Sequence, residues 1–373
     1  MYIKENEKYS SILKSIKKFD IDEVNPYKEI NLNKIVDKFL KSLKEGNDEF
    51  SWLKEFNLDI SKENKIANIH YGIPTHVHGN YKDGNIYLCL FNPSVSGIDD
   101  KVSTNVGIKG YYNSKTINDY MKNNEIDSEV NNESDKIRKS LEEWLKGNES
   151  ITQEELNNKI CKYIIFEESI LTREIKEIAP FIKNEYYTYT YLREVLKIPK
   201  LLISTDKQNC KITNKVVNLE LVPFRTKKKS GINFNGYTDE KISIFGAYII
   251  WYRIGKYFRS KIKNKRPKFI FRSFDSEGLS WKKLLEESLS YIVYNKDIFA
   301  NKDKHLIDDF IYDLFGEFFF SYPGSGENAI LSDNNLIYFD ENKEKKKISN
   351  QQFNDLVEFL NVEKNNWLML INI

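Results

Sequence analysis

Cysteine and histidine are scarce in this chain, and their scarcity excludes several kinds of site. The three cysteines, Cys89, Cys161 and Cys210, are too few and too scattered for a disulfide framework or a four-cysteine metal site. Among the four histidines, His76 and His78 could share a metal ion only if carboxylates completed its ligand set. We interpret these side chains as structural and predict no metal or other cofactor.

Long apolar runs and a large net charge are also missing. No apolar run approaches the roughly 18 to 20 residues of a membrane span, and the first residues lack the basic-then-apolar layout of a signal peptide. We therefore expect a cytoplasmic protein with no membrane partner and no obligate protein partner. With 57 Lys plus Arg against 55 Asp plus Glu, the formal net charge is +2, so any argument for a polyanionic partner must come from where the basic residues lie.

Apolar and aromatic residues are plentiful, at 40% and 14% of 373 residues, and can build a core. Buried strands alternate with amphipathic helices along the chain. The strands are predicted at 86–91, 215–226, 268–272 and from 318, with a long helix at 239–258. This alternation predicts an α/β protein with a mainly parallel central sheet flanked by helices in a three-layer α/β/α arrangement.

The helical patterns suggest how the chain is divided. Residues 1–65 read as a helical N-terminal extension, and residues 66–373 as one α/β domain. A helical insertion at about 115–200 follows the first core strand and includes a helix that begins at the capping box Thr152-x-x-Glu155. A second capping box, Ser349-x-x-Gln352, predicts the C-terminal helix.

Three of the predicted strands end at a proline, in Asn92-Pro93, Val222-Pro223 and Tyr322-Pro323. Proline cannot donate to a sheet ladder and biases the preceding residue towards an extended backbone, so each strand ends in a stiff turn. Ligands of α/β proteins bind at the carboxyl ends of the strands. If the three strands are parallel, their loops converge and form one composite site.

The residues around two of these prolines resemble the uracil-DNA glycosylase superfamily. Leu90-Phe-Asn-Pro-Ser94 is similar to the first motif, in which a carboxylate or Asn directly precedes Pro. Ser321-Tyr-Pro-Gly-Ser-Gly326 looks like the second motif, and 218–225 lies between them in the order of the family's base-pocket strand. Tyr322 stands where the second motif has histidine, and Leu90 where the first has glycine. With the long insertion, the resemblance implies a divergent branch, similar to antiviral glycosylases that excise modified bases from phage DNA.

The resemblance and the residue chemistry together give candidate roles. Asn92 would orient the attacking water, with Asp99 or Asp100 as a carboxylate helper, because an amide cannot act as a strong general base. The alternative is that these two carboxylates only solvate their loop. The predicted base pocket contains aromatic residues that could stack on a flipped base and polar residues that could read its edge: Phe91, Pro93, Ser94, Asn218, Glu220 and Phe224.

Double-stranded DNA carrying modified bases is the predicted partner. A tract from Arg253 to Lys268 holds eight basic residues and no acid, with aromatic residues interleaved, and could bind phosphates or simply form a solvated helix end. Tyr322 could wedge into the duplex. The predicted DNA-binding residues are Arg225, Lys227, Lys228, Lys229, Arg259, Lys261, Lys263, Arg266, Arg272, Tyr322, Gly324 and Ser325.

Two other functions fit parts of the sequence. Asp333 followed by Glu341-x-Lys343 imitates the Asp…Glu-x-Lys pattern with which nucleases hold Mg²⁺. A non-catalytic sensor of modified DNA could use the same pocket as a glycosylase, and Asn92 in place of an aspartate is consistent with such a binder.

Overall fold

Short apolar runs that favour β structure form the centre of a mixed sheet in the computed structural model of the chain. The structure describes residues 7–26, 31–45, 59–60, 76–91, 137, 140, 141, 143, 144, 147, 151–166, 216–222, 232–233, 241–260, 266–272, 274–294, 301–322 and 331–360. The strands are β1 (Asp59–Ile60), β2 (Val77–His78), β3 (Ile86–Leu90), β4 (Ile165–Phe166), β5 (Val216–Glu220), β6 (Ile232–Asn233), β7 (Lys268–Arg272), β8 (Phe319–Tyr322), β9 (Ile337–Phe339) and β10 (Lys345–Lys347).

The helices are α1 (Ser10–Lys18), α2 (Asn31–Glu45), α3 (Gln153–Ile164), α4 (Lys241–Ser260), α5 (Trp281–Tyr294), α6 (Asn301–Asp313) and α7 (Asn350–Leu360). Two of them begin as the sequence predicted. The side chain of Thr152 accepts a hydrogen bond from the Glu155 backbone N–H, and the Glu155 carboxylate accepts one from the Thr152 backbone N–H, so α3 starts with a capping box. Ser349 and Gln352 make the same reciprocal contacts before α7.

Eight strands form the main sheet, in the order β10-β9-β8-β7-β3-β5-β2-β4. The four central strands, β5, β3, β7 and β8, run parallel to their neighbours. β2, β9 and β10 pair antiparallel at the flanks, and the short strands β1 and β6 form a separate antiparallel pair. The prediction of an α/β protein with a mostly parallel central sheet and flanking helices is therefore confirmed.

The strands are buried on both faces, which explains why they are apolar along their whole length. Tyr87 and Cys89 of β3 point into a large core built with residues of α1, α4, α5 and α6. Ile86, Leu88 and Leu90 alternate to the other face, where a smaller core includes residues of α7.

The N-terminal helix α1 is part of the larger core, although it lies within the segment predicted as an extension. Ile12 and Ile16 are fully buried, and α1 packs closely on α4 at Gly255. A Cβ atom at Gly255 would overlap the carbonyl group of Ile16, so the close packing of the two helices requires glycine there.

The insertion after β3 and the chain after β8 both add strands that the sequence did not predict. Within the predicted helical insertion, α3 runs directly into β4, which pairs parallel to β2 at one edge of the sheet. At the other edge, Lys345–Lys347 form the exposed strand β10. Lysine side chains on an edge strand disfavour pairing with another chain.

Candidate functional site

The carboxyl ends of the four parallel strands meet at one edge of the sheet. β3 ends at Leu90, β5 at Glu220, β7 at Arg272 and β8 at Tyr322. In the sequence the three prolines follow β3, β5 and β8, and the carboxyl ends of these three strands lie at this edge. The parallel orientation that the composite-site argument required is present.

The strand order marks a particular place on this edge. After β3 the chain crosses to β5 on one side, whereas after β7 it crosses to β8 on the other side. The crevice between the carboxyl ends of β3 and β7 is therefore a topological switch point, where open α/β sheets bind their ligands. Phe91 directly follows β3 at this point, and Arg272 is the last residue of β7.

At the carboxyl edge, one row of side chains crosses the four parallel strands on the face that packs against α7. This row contains two charged residues, Glu220 and Arg272, and two that are buried in the smaller core, Leu90 and Tyr322. Leu90 is in register with Glu220, and Arg272 is in register with Tyr322. Because side chains alternate along a strand, these four residues share the face on which Leu88 and Ile270 also lie. Glu220 and Arg272 thus stand on either side of Leu90, with their Cα atoms roughly 10 Å apart, since two inter-strand spacings separate them.

Hydrogen bonds fix the end of β3 beside this row. The Leu90 carbonyl oxygen accepts from the Leu221 N–H at 3.1 Å and from the indole Nε1–H of Trp281 at 2.9 Å. The Phe91 carbonyl accepts from the Val222 N–H at 2.8 Å. Strands β3 and β5 therefore remain tied together up to the residue before Asn92.

Buried polar side chains lie next to this row on β5 and β2. Asn218 is 1% exposed and Glu220 is 2% exposed. His78 is also buried and is the Cα partner of Asn218 in the antiparallel pair of β2 and β5, so the two side chains share a face. Neither the oxygen nor the nitrogen of the Asn218 amide has a hydrogen-bond partner among the described residues.

An amide buried in this way costs stability and is typical of a position kept for binding. The backbone of His76 also contacts β5, because the His76 carbonyl oxygen accepts a hydrogen bond from the Glu220 N–H at 2.9 Å.

Burial also sets the charge of two groups at the site. It lowers the pKa of His76 to about 3, so its imidazole is neutral at physiological pH. Burial raises the pKa of the Cys89 thiol well above its usual range, and the charge of nearby Glu220 raises it further. Cys89 is therefore a protonated, unreactive core thiol.

Many of the predicted site residues lie outside the described part of the chain. They are Asn92, Pro93, Ser94, Asp99, Asp100, Phe224, Arg225, Lys227, Lys228, Lys229, Lys261, Lys263, Gly324 and Ser325. Of the described ones, Asn218, Glu220 and Arg272 lie at the carboxyl edge on one face of the sheet. Their common placement follows from the register and could not be read from sequence spacing.

Two aromatic residues are not placed as predicted. Phe91 is 7% exposed and belongs to the larger core, on the face opposite Glu220, so it does not join Asn218 and Glu220 in a pocket. Tyr322 is fully buried in the smaller core and does not project as a wedge for a DNA duplex. Both rings point into the core, because side chains alternate between the two faces along a strand. The structure therefore does not place either ring where its predicted role requires.

The basic tract is also placed differently from the prediction. Arg259 and Arg266 lie near the end of α4 and before the start of β7, so they belong to the amino edge of the parallel strands, away from the candidate site. Their side chains make intramolecular contacts. The contacts in this tract are Arg253 Nε with the Gly84 oxygen, Lys256 with Asp83, Arg259 Nη1 with the Lys17 oxygen, Arg266 with Glu317 and the Tyr257 hydroxyl, and Lys268 with the Glu317 oxygen.

These described basic side chains join α4 to α1 and to the turn before β3, and β7 to Glu317, at the edge of the sheet opposite the candidate strand ends. DNA binding by this tract stays a prediction.

The residues of the nuclease-like pattern do not converge on one another. Lys343 forms ion pairs with Asp308 at 2.6 Å and Asp309 at 3.0 Å. Asp333 precedes β9 and Glu341 follows it, so the strand separates them. Among the described residues, no group of three or more His, Cys, Asp or Glu side chains could hold a metal ion.

His78 is the buried polar neighbour of Asn218 that the sequence did not predict, since both His76 and His78 were interpreted as structural. The pairing of β2 with β5 could not be read from the sequence because β2 contains only two residues.

Comparisons with known proteins find no matching family model, no matching curated protein and no matching solved structure. The described helices include none that is long and apolar enough to cross a membrane.

Proposed function

We propose that this protein is a cytoplasmic DNA glycosylase that hydrolyses the N-glycosidic bond of a flipped, modified base in double-stranded DNA and leaves an abasic site. We further propose that it acts in defence against phage, as a divergent relative of the uracil-DNA glycosylase superfamily with a three-layer α/β/α fold. The observation that carries the proposal is the meeting of three proline-terminated strands at one sheet edge, beside buried Asn218 and Glu220.

The proposed reaction suits such an edge. The target nucleotide must leave the base stack, which costs a few kcal/mol, before water can reach the anomeric carbon. The transition state resembles an oxocarbenium ion with a departing anionic base, so the site must supply a positioned water and groups that stabilise both charges. The amide of Asn218 can read a base edge that offers one donor and one acceptor.

The first experiment separates this function from its alternatives. Unmodified, uracil-containing and hypermodified duplexes are incubated with the protein in EDTA and then heated in alkali, which cleaves at abasic sites. Cleavage after alkali supports the glycosylase, strand breaks that require Mg²⁺ support a nuclease, and retention of modified DNA without product supports a sensor. Mass spectrometry of bases released from several phage genomes identifies the substrate.

The role of Asn92 is tested by one substitution. Asn92→Ala should abolish base release while affinity for the duplex, measured by fluorescence anisotropy, changes little. A fully active Asn92→Ala protein would refute the assignment of the first motif.

A further inference from the structure

An amide at position 92 leaves the proposed reaction without a group that can take a proton from water. Asn92 can orient a water molecule, but a carboxylate or an imidazole is needed to deprotonate it. Tyr322, which replaces the histidine of the second motif, is fully buried and carries no positive charge for the departing base. The site therefore needs one anionic and one cationic group from other strands.

Glu220 meets the first requirement. It is the one acidic side chain that is buried among the residues the structure describes, and it lies on the strand paired with β3. Its Cα partner is Leu90, two residues before Asn92, and the backbone bonds from Leu221 and Val222 hold the two strands together beyond this pair. A buried carboxylate at a ligand-binding edge is a candidate catalytic group, because enzymes tune such groups through burial and neighbouring charges.

Arg272 meets the second requirement. It is half-buried at the end of β7, the other side of the switch point, and shares with Glu220 the face that contains Leu90. An arginine cannot lose its proton at physiological pH and donates in a fixed fork, which suits a planar anion such as a pyrimidine leaving with its bonding electrons.

We propose that Glu220 and Arg272 divide the chemistry of this reaction, an assignment that rests on the proposed function. The Glu220 carboxylate takes one proton from water as the water oxygen bonds to the anomeric carbon. The glycosidic bond breaks, its electron pair leaves with the base, and the Arg272 guanidinium stabilises that negative charge. The proton on Glu220 then passes to the departed base, so the products are the abasic sugar and the neutral base.

The arrangement matches the two charges of the transition state. The carboxylate stabilises the cationic sugar and the guanidinium stabilises the anionic base, so each developing charge has one group of opposite sign. The assignment also makes a carboxylate helper at Asp99 or Asp100 unnecessary.

The test measures single-turnover base release from three duplexes that carry uracil, 5-fluorouracil or 5-hydroxymethyluracil, whose leaving groups differ in acidity. Glu220→Gln should slow all three by a similar factor, on the order of 10²–10⁴, and remove the acidic limb of the pH–rate profile. Arg272→Met should slow release on the order of 10²-fold and most for the least acidic base, so that the rate depends more steeply on leaving-group acidity. Arg272→Lys should recover part of this loss.

Control variants distinguish catalysis from folding. Glu317→Gln removes a carboxylate that pairs with Arg266 at the opposite edge of the sheet and should leave the rate unchanged. Glu220→Asp keeps the carboxylate and should retain measurable activity if Glu220→Gln fails to fold. Binding to a duplex with a tetrahydrofuran abasic site should stay within about threefold of the wild type for every folded variant, a span of less than 1 kcal/mol.

The outcomes separate this proposal from the function on which it rests. Wild-type protein that releases no base from any duplex overturns the proposed function and both roles with it. An active wild type with an equally active Glu220→Gln variant overturns the role of Glu220 alone, and loss in an Asp99→Asn, Asp100→Asn double variant would then return that role to the loop. An equal loss for all three bases in Arg272→Met overturns the role of Arg272.

Discussion

Replacing Asn218 by leucine should stabilise the free protein while destroying its proposed activity. The Asn218 side chain is 1% exposed, and neither amide atom has a hydrogen-bond partner among the described residues. Burying an amide without partners costs about 1–3 kcal/mol on the basis of mutational data, and leucine of similar size removes that cost. We therefore expect the free energy of unfolding to rise by about 1–2 kcal/mol, after some loss from imperfect packing.

A second buried asparagine provides the matched control. Asn157 in α3 is 7% exposed, but its Nδ2 donates to Asp37 at 2.6 Å and to the Asn33 carbonyl at 3.4 Å. Asn157→Leu should lower the free energy of unfolding by about 1–2 kcal/mol because it removes these bonds. The same substitution at two buried asparagines should thus have opposite signs.

Urea denaturation followed by circular dichroism measures both changes as shifts of the unfolding midpoint at constant slope. Base release from modified duplexes is measured in parallel, and Asn218→Leu should show none. Destabilisation by Asn218→Leu equal to that by Asn157→Leu would mean that the Asn218 amide is satisfied within the fold, and the argument that it is kept for a ligand would be refuted.

Three further predictions concern the frame that holds the site. Gly255→Ala should lower the free energy of unfolding by about 1–3 kcal/mol, because the new methyl group overlaps the Ile16 carbonyl. The change is measured as a lower urea midpoint, and a stabilised variant would refute the close packing of α1 on α4. Because burial depresses the pKa of His76 in the folded state, the unfolded state binds the extra proton below pH 6.5. Stability should therefore fall by about 2 kcal/mol between pH 7 and pH 5, and a His76→Gln variant should lack this component. Trp281→Phe removes the donor to the Leu90 carbonyl and should cost about 1 kcal/mol of stability. It should also slow base release without weakening duplex binding, and an unchanged rate would show that this bond does not position β3.

Local patterns in the sequence predicted the central strands and helix starts well. The strand at 268–272 and the first strand near 86–91 coincide with β7 and β3, because apolar runs of five residues bounded by polar turns have few other structures available. Capping boxes placed the starts of α3 and α7, since both partners of a cap lie within four residues of each other. The strands β2, β4, β9 and β10 were missed because two or three residues are too short to show a period.

By itself the sequence determined the class of fold, the apolar strands and the prolines that end three of them, because each depends on neighbours along the chain. It also placed Asn218 and Glu220 in the predicted base pocket. Only the tertiary structure decided that Glu220 and Arg272 flank Leu90, that Phe91 and Tyr322 turn into the core, and that Arg259 and Arg266 lie at the far edge. Strand order and register arise from pairing between distant segments, which no local pattern encodes.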